Sequence, residues 1–383
     1  MTTVIEETGD QLPRPEAEEA VETAISKLTL NDNDDNDDRE TTPEPSEHST
    51  LFPKITGKVE ELLNSLKHTW PRPTTISFSG TVKLHGTHSD LVIYSDDTIR
   101  LQSRNRLSLN TIHDNYGVAA SILPLRTETL KLRDEFRERF LELNPGEKID
   151  DEFPMIIAGE WIGPGVQKSV AIEKLPRKYF VILSISINNS WLPNEGYGDI
   201  SNESVGIYNI SRGGTFSEIL DVNDTEAFME RAMALTLAVE KECPFAKSFG
   251  LSGVGEGIVW KAAHPLGSSS RFWVKTKGPL HRVVDRDSLK KAVAARGDNK
   301  TKAKAFAEVA VTVQRLEQAW DYLVEMEIAR NKKGLSDFMR WLNNDVEVEE
   351  KAAIADLNVN KHTLRKEMQF IGKAYYFKRL EEK

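Results

Sequence analysis

The sequence holds one cysteine, Cys243, in 383 residues, so no disulfide can close within the chain, and a reducing compartment is favoured. Cys243 stands before Pro244 at the end of a helical pattern, which reads as packing rather than as a nucleophile. Long apolar runs are missing as well. None approaches the roughly 18 to 20 residues of a membrane span, and the acidic opening Met1-Thr2-Thr3-Val4-Ile5-Glu6-Glu7 does not read as a signal peptide. Both absences point to an intracellular protein, cytoplasmic or nuclear, with no membrane partner. Positive charge is also in deficit, the formal net charge being −10, which at first argues against a nucleic-acid partner. The charge is unevenly spread, however. Residues 1–50 carry 15 acidic and 3 basic side chains, and residues 51–383 carry 45 and 47. The acidity belongs to one end, and the remainder is close to neutral.

That end is poor in apolar residues. It contains Asn31-Asp32-Asn33-Asp34-Asp35-Asn36-Asp37-Asp38 and then Thr41-Thr42-Pro43-Glu44-Pro45-Ser46. Dense like charge with little to bury cannot offset the entropy of ordering, so residues 1–50 are expected to be a disordered acidic tail. Within it Ala20, Val21, Ala24, Ile25 and Leu28 have helical spacing, which makes residues 15–30 the candidate for folding on a protein partner. The aspartate run lacks the glycine turn and terminal glutamate of a calcium loop, so it is not assigned a metal.

The rest is long enough for two domains of ordinary composition. Ile76, Phe78, Gly80 and Val82 alternate with Ser77, Ser79 and Thr81, the period of a half-buried strand, and Lys83-Leu84-His85-Gly86 follows at its end. Alternation resumes at Leu91 and Ile93, and again at Ile99 and Leu101 across Ser95-Asp96-Asp97-Thr98, so a hairpin is expected after the lysine. Lys83 is then held on a sheet, beside a glycine that permits close approach to the backbone. A lysine so placed is a nucleophile if desolvation or neighbouring positive charge lowers its pKa. The spacing Lys-x-x-Gly is weak by itself, since Lys54, Lys247 and Lys275 also precede a glycine by three residues.

Further along, Arg104 and Arg106 lie at a strand end, suited either to surface ion pairs or to phosphate. Leu125, Leu132, Phe136, Phe140 and Leu143 have helical spacing, stop at Asn144-Pro145-Gly146, and are read as a helix covering the sheet. A short strand from Phe153 is expected to end near Gly159-Glu160-Trp161, where Glu160 could accept hydrogen bonds from a ligand hydroxyl or simply face solvent. Tyr179–Ile187 is strongly β-prone, residues 205–210 form a shorter candidate strand, and residues 228–239 read as a second helix. Glu256 then stands between Gly255 and Gly257 at the mouth of an apolar strand, and Lys275 and Lys277 share one face of the next, where their repulsion suits an intervening phosphate chain. From about residue 285 every apolar pattern is helical, with Phe306, Val309, Val313, Leu316, Trp320, Leu323 and Met326 recurring at three or four residues. The chain divides accordingly into a tail (1–50), a strand-rich domain (51–284) and an all-α C-terminal domain (285–383), an α+β protein overall.

Taken in order, Lys83-Leu84-His85-Gly86-Thr87, Arg104, Gly159-Glu160-Trp161-Ile162-Gly163-Pro164-Gly165-Val166-Gln167-Lys168, Glu256-Gly257-Ile258-Val259-Trp260-Lys261 and Lys275-Thr276-Lys277 resemble the motif series of the covalent nucleotidyltransferases. The form of the first motif and the helical C-terminal part resemble the ATP-dependent RNA ligase branch. The resemblance covers about residues 75–280. It implies an antiparallel-sheet nucleotidyltransferase (ATP-grasp-like ligase) domain that uses ATP with Mg2+ or Mn2+ and acts on RNA ends. It implies that Lys83 takes AMP from ATP, passes it to a 5′-phosphate, and that a 3′-hydroxyl then closes the strand. Arg104, Lys275 and Lys277 would meet phosphates, Glu160 the ribose, Glu256 the metal and the lysine, and His85 the leaving pyrophosphate, while of Tyr179, Phe180 and the non-aromatic Ile182 in the β-prone run Phe180 is chosen to stack on the adenine. His88 departs from the asparagine usual at its position. Two other readings remain open: a GTP-using guanylyltransferase of the capping type, which would be followed by an oligonucleotide-binding barrel rather than helices, and a non-catalytic RNA-end binder.

Overall fold

Two antiparallel sheets organise the strand-rich part of the computed structural model, which describes residues 50–67, 69–281, 286–294 and 297–382. The expected tail, as far as residue 49, lies outside the described residues. The first sheet runs in the order Trp273–Lys277 (β10), Gly257–Ala262 (β9), Thr75–Lys83 (β1) and Thr215–Asp221 (β8). The second runs Ile99–Ser103 (β3), Thr87–Ile93 (β2), Met155–Ile162 (β4), Tyr179–Ile187 (β5) and Ser190–Trp191 (β6), with Ile207–Asn209 (β7) parallel to β5. The expected hairpin is β2 and β3. β1 does not belong to it: at Leu84-His85-Gly86 the chain leaves one sheet and enters the other, so Lys83 sits where the two meet.

Each sheet buries its outer face under helices. Val59–Leu66 (α1) and Thr225–Lys241 (α4) place Leu62, Leu66, Phe228 and Ala232 against Phe78, Val82, Ile258 and Trp260 of the first sheet. Val118–Ile122 (α2) and Arg126–Leu143 (α3) place Val118, Leu132, Phe136 and Phe140 against Leu91, Leu101, Ile157 and Phe180 of the second. Each of the valine, leucine, isoleucine and phenylalanine side chains among them contributes about 1.5–3 kcal/mol by leaving water. Asp224 caps α4 by accepting from the Ala227 amide at 3.1 Å, which fixes where that helix begins. Pro244–Lys247 (α5) is a single turn after Cys243, whose thiol is buried in the same core. Two details differ from the sequence reading. β4 runs on through Glu160 to Ile162, because Trp161 and Ile162 are also buried, and β8 is an edge strand that alternates in burial but not in polarity, since Glu218 stands on its inner face and Ile219 on its exposed one.

Beyond Lys277 the described elements are helices: Arg286–Ala294 (α6), Asn299–Ala310 (α7), Val313–Glu325 (α8), Leu335–Glu349 (α9), Lys351–Asp356 (α10) and Lys361–Glu381 (α11). The long pattern from Ala303 is cut after Ala310, where the Thr312 hydroxyl caps α8. Their core holds Phe306, Trp320, Phe338, Leu342, Leu364 and Tyr376. Arg315 is fully buried there but keeps hydrogen bonds to Asp345, Glu350 and the Ala310 carbonyl, as a buried guanidinium must. Residues 48–383 form one compact unit. Carboxylates tie the helices to the sheets: Glu325 accepts from Ser103 and Asn105, Glu327 meets Arg106 and His113, and Glu349 meets Lys54 at 2.5 Å. No helix among the described residues is long and apolar enough to cross a membrane.

Candidate active site

Strand pairing puts the key lysines in one place. Lys83 of β1 and Lys277 of β10 both pair with Gly257 of β9, so the three occupy one cross-strand row. Lys275, Val259 and Thr81 form the next row, and Trp273, Lys261 and Ser79 the third. With a period of two, all these side chains project from the face opposite α4, towards the second sheet. Gly257 leaves the first row open at its centre. A Cβ there would run into the Thr276 carbonyl oxygen, and the positive φ of 159° also favours glycine.

Into that gap comes Glu256, whose side chain is 1% exposed. Its carboxylate is divided between two ammonium groups, Oε2 lying 2.6 Å from Lys83 Nζ and Oε1 2.7 Å from Lys277 Nζ. His85 Nδ1 lies 3.4 Å from Oε2, and the His85 ring packs edge-on against His281. Burial alone would raise the Glu256 pKa, but Lys277, Lys83 and His85 together override it and hold the carboxyl well below its usual range. Lys83 moves down from its ordinary value. Burial desolvates the ammonium, Lys277 repels it, and Glu256 and Glu160 pull the other way. Lys275 is lowered to about 8, again chiefly by burial, against the attraction of Glu349.

The second sheet supplies the opposite wall. Glu160 on β4 accepts from the Gly86 amide at 2.9 Å. A Cβ at Gly86 would strike the Trp161 carbonyl and the Glu160 side chain, so the group this glycine admits is the protein's own β4. His88 is buried between Asp90, 2.6 Å away, and Glu160, 3.9 Å away, and its ring lies 4.5 Å from that of Phe52. Phe52 itself fills the space between the sheets with Trp273, Ile156 and Ala158. Lys261 crosses the same space to the Leu183 carbonyl, the Ser184 hydroxyl and Asn194, while its ammonium lies over Trp273. Burial lowers its pKa to about 7.

The structure therefore brings together Lys83, His85, Glu160, Glu256, Lys275 and Lys277. Arg104 is exposed beside them, close enough to act on Lys275. Its neighbour Arg106 is an ion-pair residue, held by Glu327 at 3.0 Å. Phe180 is not at the site, which corrects the expectation that it stacks on a base. It pairs with Trp161, whereas Val181 pairs with Glu160, so Phe180 points into the core under α3, where its ring lies over Gly159. Among the described residues no group of three or more His, Cys, Asp or Glu side chains is arranged to hold a metal. Glu256 offers a single carboxylate, which fits a hard cation that takes most of its ligands from phosphate and water.

The family model for RNA ligases matches residues 76–277, which is more than half of the chain and contains every residue of this cluster. The chain belongs to the RNA ligase family. A search of curated proteins found no match. Among solved structures, a Naegleria gruberi RNA ligase variant with AMP and Mn is 17% identical, covering 60% of this chain and 57% of its own, with a TM-score of 0.36. A second variant of that ligase with the same ligands is 18% identical over 62% of each chain, at 0.37. An archaeal ATP-dependent RNA ligase is 15% identical, covering 80% of this chain and 65% of its own, at 0.36. This chain spans about three fifths of the length of the first of these structures.

Four residues around the cleft, all outside the segment that the RNA ligase family model matches, were not singled out in the sequence. Lys54 and Glu349 reach the rim of the cleft from opposite ends of the chain, and their sequence neighbourhoods carry no signal. Phe52 and His281 sit in short irregular segments, where periodicity says nothing.

Proposed function

We propose that the protein is an ATP-dependent RNA ligase that joins a 5′-phosphate to a 3′-hydroxyl through a lysyl-AMP and an RNA-adenylate. The observation that carries this reading is the Glu256 carboxylate shared between Lys83 and Lys277 at 2.6 and 2.7 Å, within the segment that the family model matches.

Lys83 attacks the α-phosphorus of ATP. The N–P bond forms, the bond to the bridging oxygen breaks, pyrophosphate leaves, and the amine gives up its protons to solvent. A 5′-phosphate oxygen then displaces the lysine nitrogen, and finally the 3′-hydroxyl displaces AMP to form the phosphodiester. Lys277 and Lys275 lie on the attacking face and neutralise charge spread over the phosphate oxygens, with Arg104 at the rim. Their repulsion, while no phosphate separates them, is energy that phosphate binding relieves. Glu256 orients the Lys83 amine, and Glu160, anchored on the Gly86 amide, is positioned to hold ribose hydroxyls. His85 lies on the far side of Glu256 from Lys277, where it can orient the leaving pyrophosphate. A divalent cation such as Mg2+ or Mn2+, held by Glu256 and phosphate oxygens, would supply further charge neutralisation.

The helices that follow residue 286 favour ligation over capping, which would require a strand-built barrel there. The proposed partner is therefore RNA. The domain boundaries at residues 50 and 284 are proposed on the same grounds. The test is incubation with ATP or GTP labelled at the α-phosphate. Label from ATP should survive denaturation on the parent protein and vanish from Lys83→Ala. Label from GTP alone would transfer the assignment to capping, and none from either would leave a non-catalytic RNA-end binder.

A further inference from the structure

Arg104 is held through its neighbours. Its own side chain is exposed and makes no ion pair or hydrogen bond among the described residues, yet it lies near enough to act on Lys275. The residues on both sides of it are fixed by α8 and the turn that follows. Glu325 ends α8, and its carboxylate accepts from the Ser103 hydroxyl at 2.5 Å and from the Asn105 side-chain amide at 2.7 Å. The same Ser103 oxygen accepts the backbone N–H groups of Asn105 and Arg106 at 3.3 and 3.1 Å, so one carboxylate sets the turn in which Arg104 stands. Glu327 continues the row, 3.0 Å from the Arg106 guanidinium and 2.6 Å from His113 Nδ1. One turn earlier on α8, Asp321 is hydrogen-bonded to Tyr116.

Two features set these carboxylates apart from ordinary helix residues. Glu327 stands just past the cap of α8, where the Glu327 and Ile328 amides return to the Val324 and Leu323 carbonyls and the backbone is left-handed, with φ 57°. Glycine is the usual residue at such a position, because a Cβ is strained there. A glutamate kept in that conformation points to a task other than ending the helix, and both of its partners lie in the Arg104 segment. The second feature is charge. Carboxylates beside a group meant for phosphate work against it. Here both are directed at the neighbours of Arg104 and not at Arg104, which leaves its guanidinium unpaired for a ligand.

We propose that Glu325 and Glu327 are positioning residues for Arg104: the helical region holds the turn from Ser103 to Arg106 so that the guanidinium meets the phosphates of ATP in the cleft. The proposal rests on the ligase reading for its ligand, but its test needs no turnover. The probe is α,β-methylene-ATP with Mg2+, which cannot pass AMP to Lys83. Arg104→Ala should weaken its binding about tenfold or more. Glu325→Ala should weaken it about tenfold, the factor for fixing one residue's backbone only on binding. By charge alone, loss of a carboxylate beside a phosphate site would tighten it. In the Arg104→Ala background the same change should matter less than about twofold, because its effect passes through the arginine. Glu327→Gly separates positioning from folding: the melting midpoint should hold or rise as the backbone relaxes, while affinity falls. Equal or tighter binding by Glu325→Ala, or equal losses with and without Arg104, would overturn the proposal. So would an Arg104→Ala protein that binds the analogue like the parent, or a lower midpoint with unchanged affinity in Glu327→Gly. Coupling of the expected kind in a protein that never takes label from ATP would uphold the positioning role and sink the ligase, and full label with additive losses would do the reverse.

Discussion

At Lys83 two influences oppose each other. Burial and Lys277 favour the neutral amine, and Glu256 favours the ammonium. The proposed nucleophile is therefore tuned by whichever neighbour is removed, and the two removals have opposite signs. Lys277→Met deletes a positive charge, so the Lys83 pKa rises and the ascending limb of kcat/KM for adenylylation moves to higher pH. Glu256→Gln deletes the attraction, so the limb moves to lower pH while the maximal rate falls, because the amine loses its anchor. The carboxyl of Glu256 is held well below its usual range and stays ionised throughout, so no second limb from it is expected near neutrality. A pH–rate series on both variants checks this, and shifts in the same direction would refute the opposition.

On the scale of elements, the site depends on two glycines that let strands meet. Gly86 passes so close to β4 that a Cβ has to displace the Trp161 backbone. Gly86→Ala should cost roughly 1–3 kcal/mol, as overpacking does. It should also disturb the amide that holds Glu160. The melting midpoint and the KM for ATP report the two effects, and a variant with both unchanged would show that β2 and β4 can yield at this point. The same scale explains which expectations held. Alternation from Ile76 to Val82 is legible because one face of β1 is polar where it meets the cleft. In β5 both faces are apolar, with Val181 on one side and Phe180 on the other, so no pattern in the sequence says which faces Glu160. The expectation for Phe180 failed for that reason. β8 escaped because an exposed edge strand has little to bury.

The whole molecule divides its charge unevenly, and this has a consequence for binding. Residues 1–50 carry 15 acidic and 3 basic side chains. Such a segment competes with phosphate for any basic surface of the same chain. Deletion of residues 1–48 should leave adenylylation of Lys83 unchanged and tighten RNA binding, most visibly at low salt where screening is weak. Electrophoretic mobility shifts at two salt concentrations measure it, and weaker binding after deletion would mean that the segment contributes contacts of its own.

By itself the sequence determined the candidate site residues and their order, Lys83, Glu160, Glu256, Lys275 and Lys277, the change from strands to helices near residue 285, and the exclusion of disulfides within the chain. The change from strands to helices is a local property, carried by periodicity of two or of three to four residues, whereas the candidate site residues were assigned by the resemblance of their ordered motifs to a known family. Tertiary structure decided which of them meet. That Lys83 and Lys277 flank one glycine, that Glu256 is divided between them, and that the charge of Glu349 acts on Lys275 all follow from contacts between segments far apart in the chain. Strand register is set by how whole faces bury against each other, and no single segment contains that information.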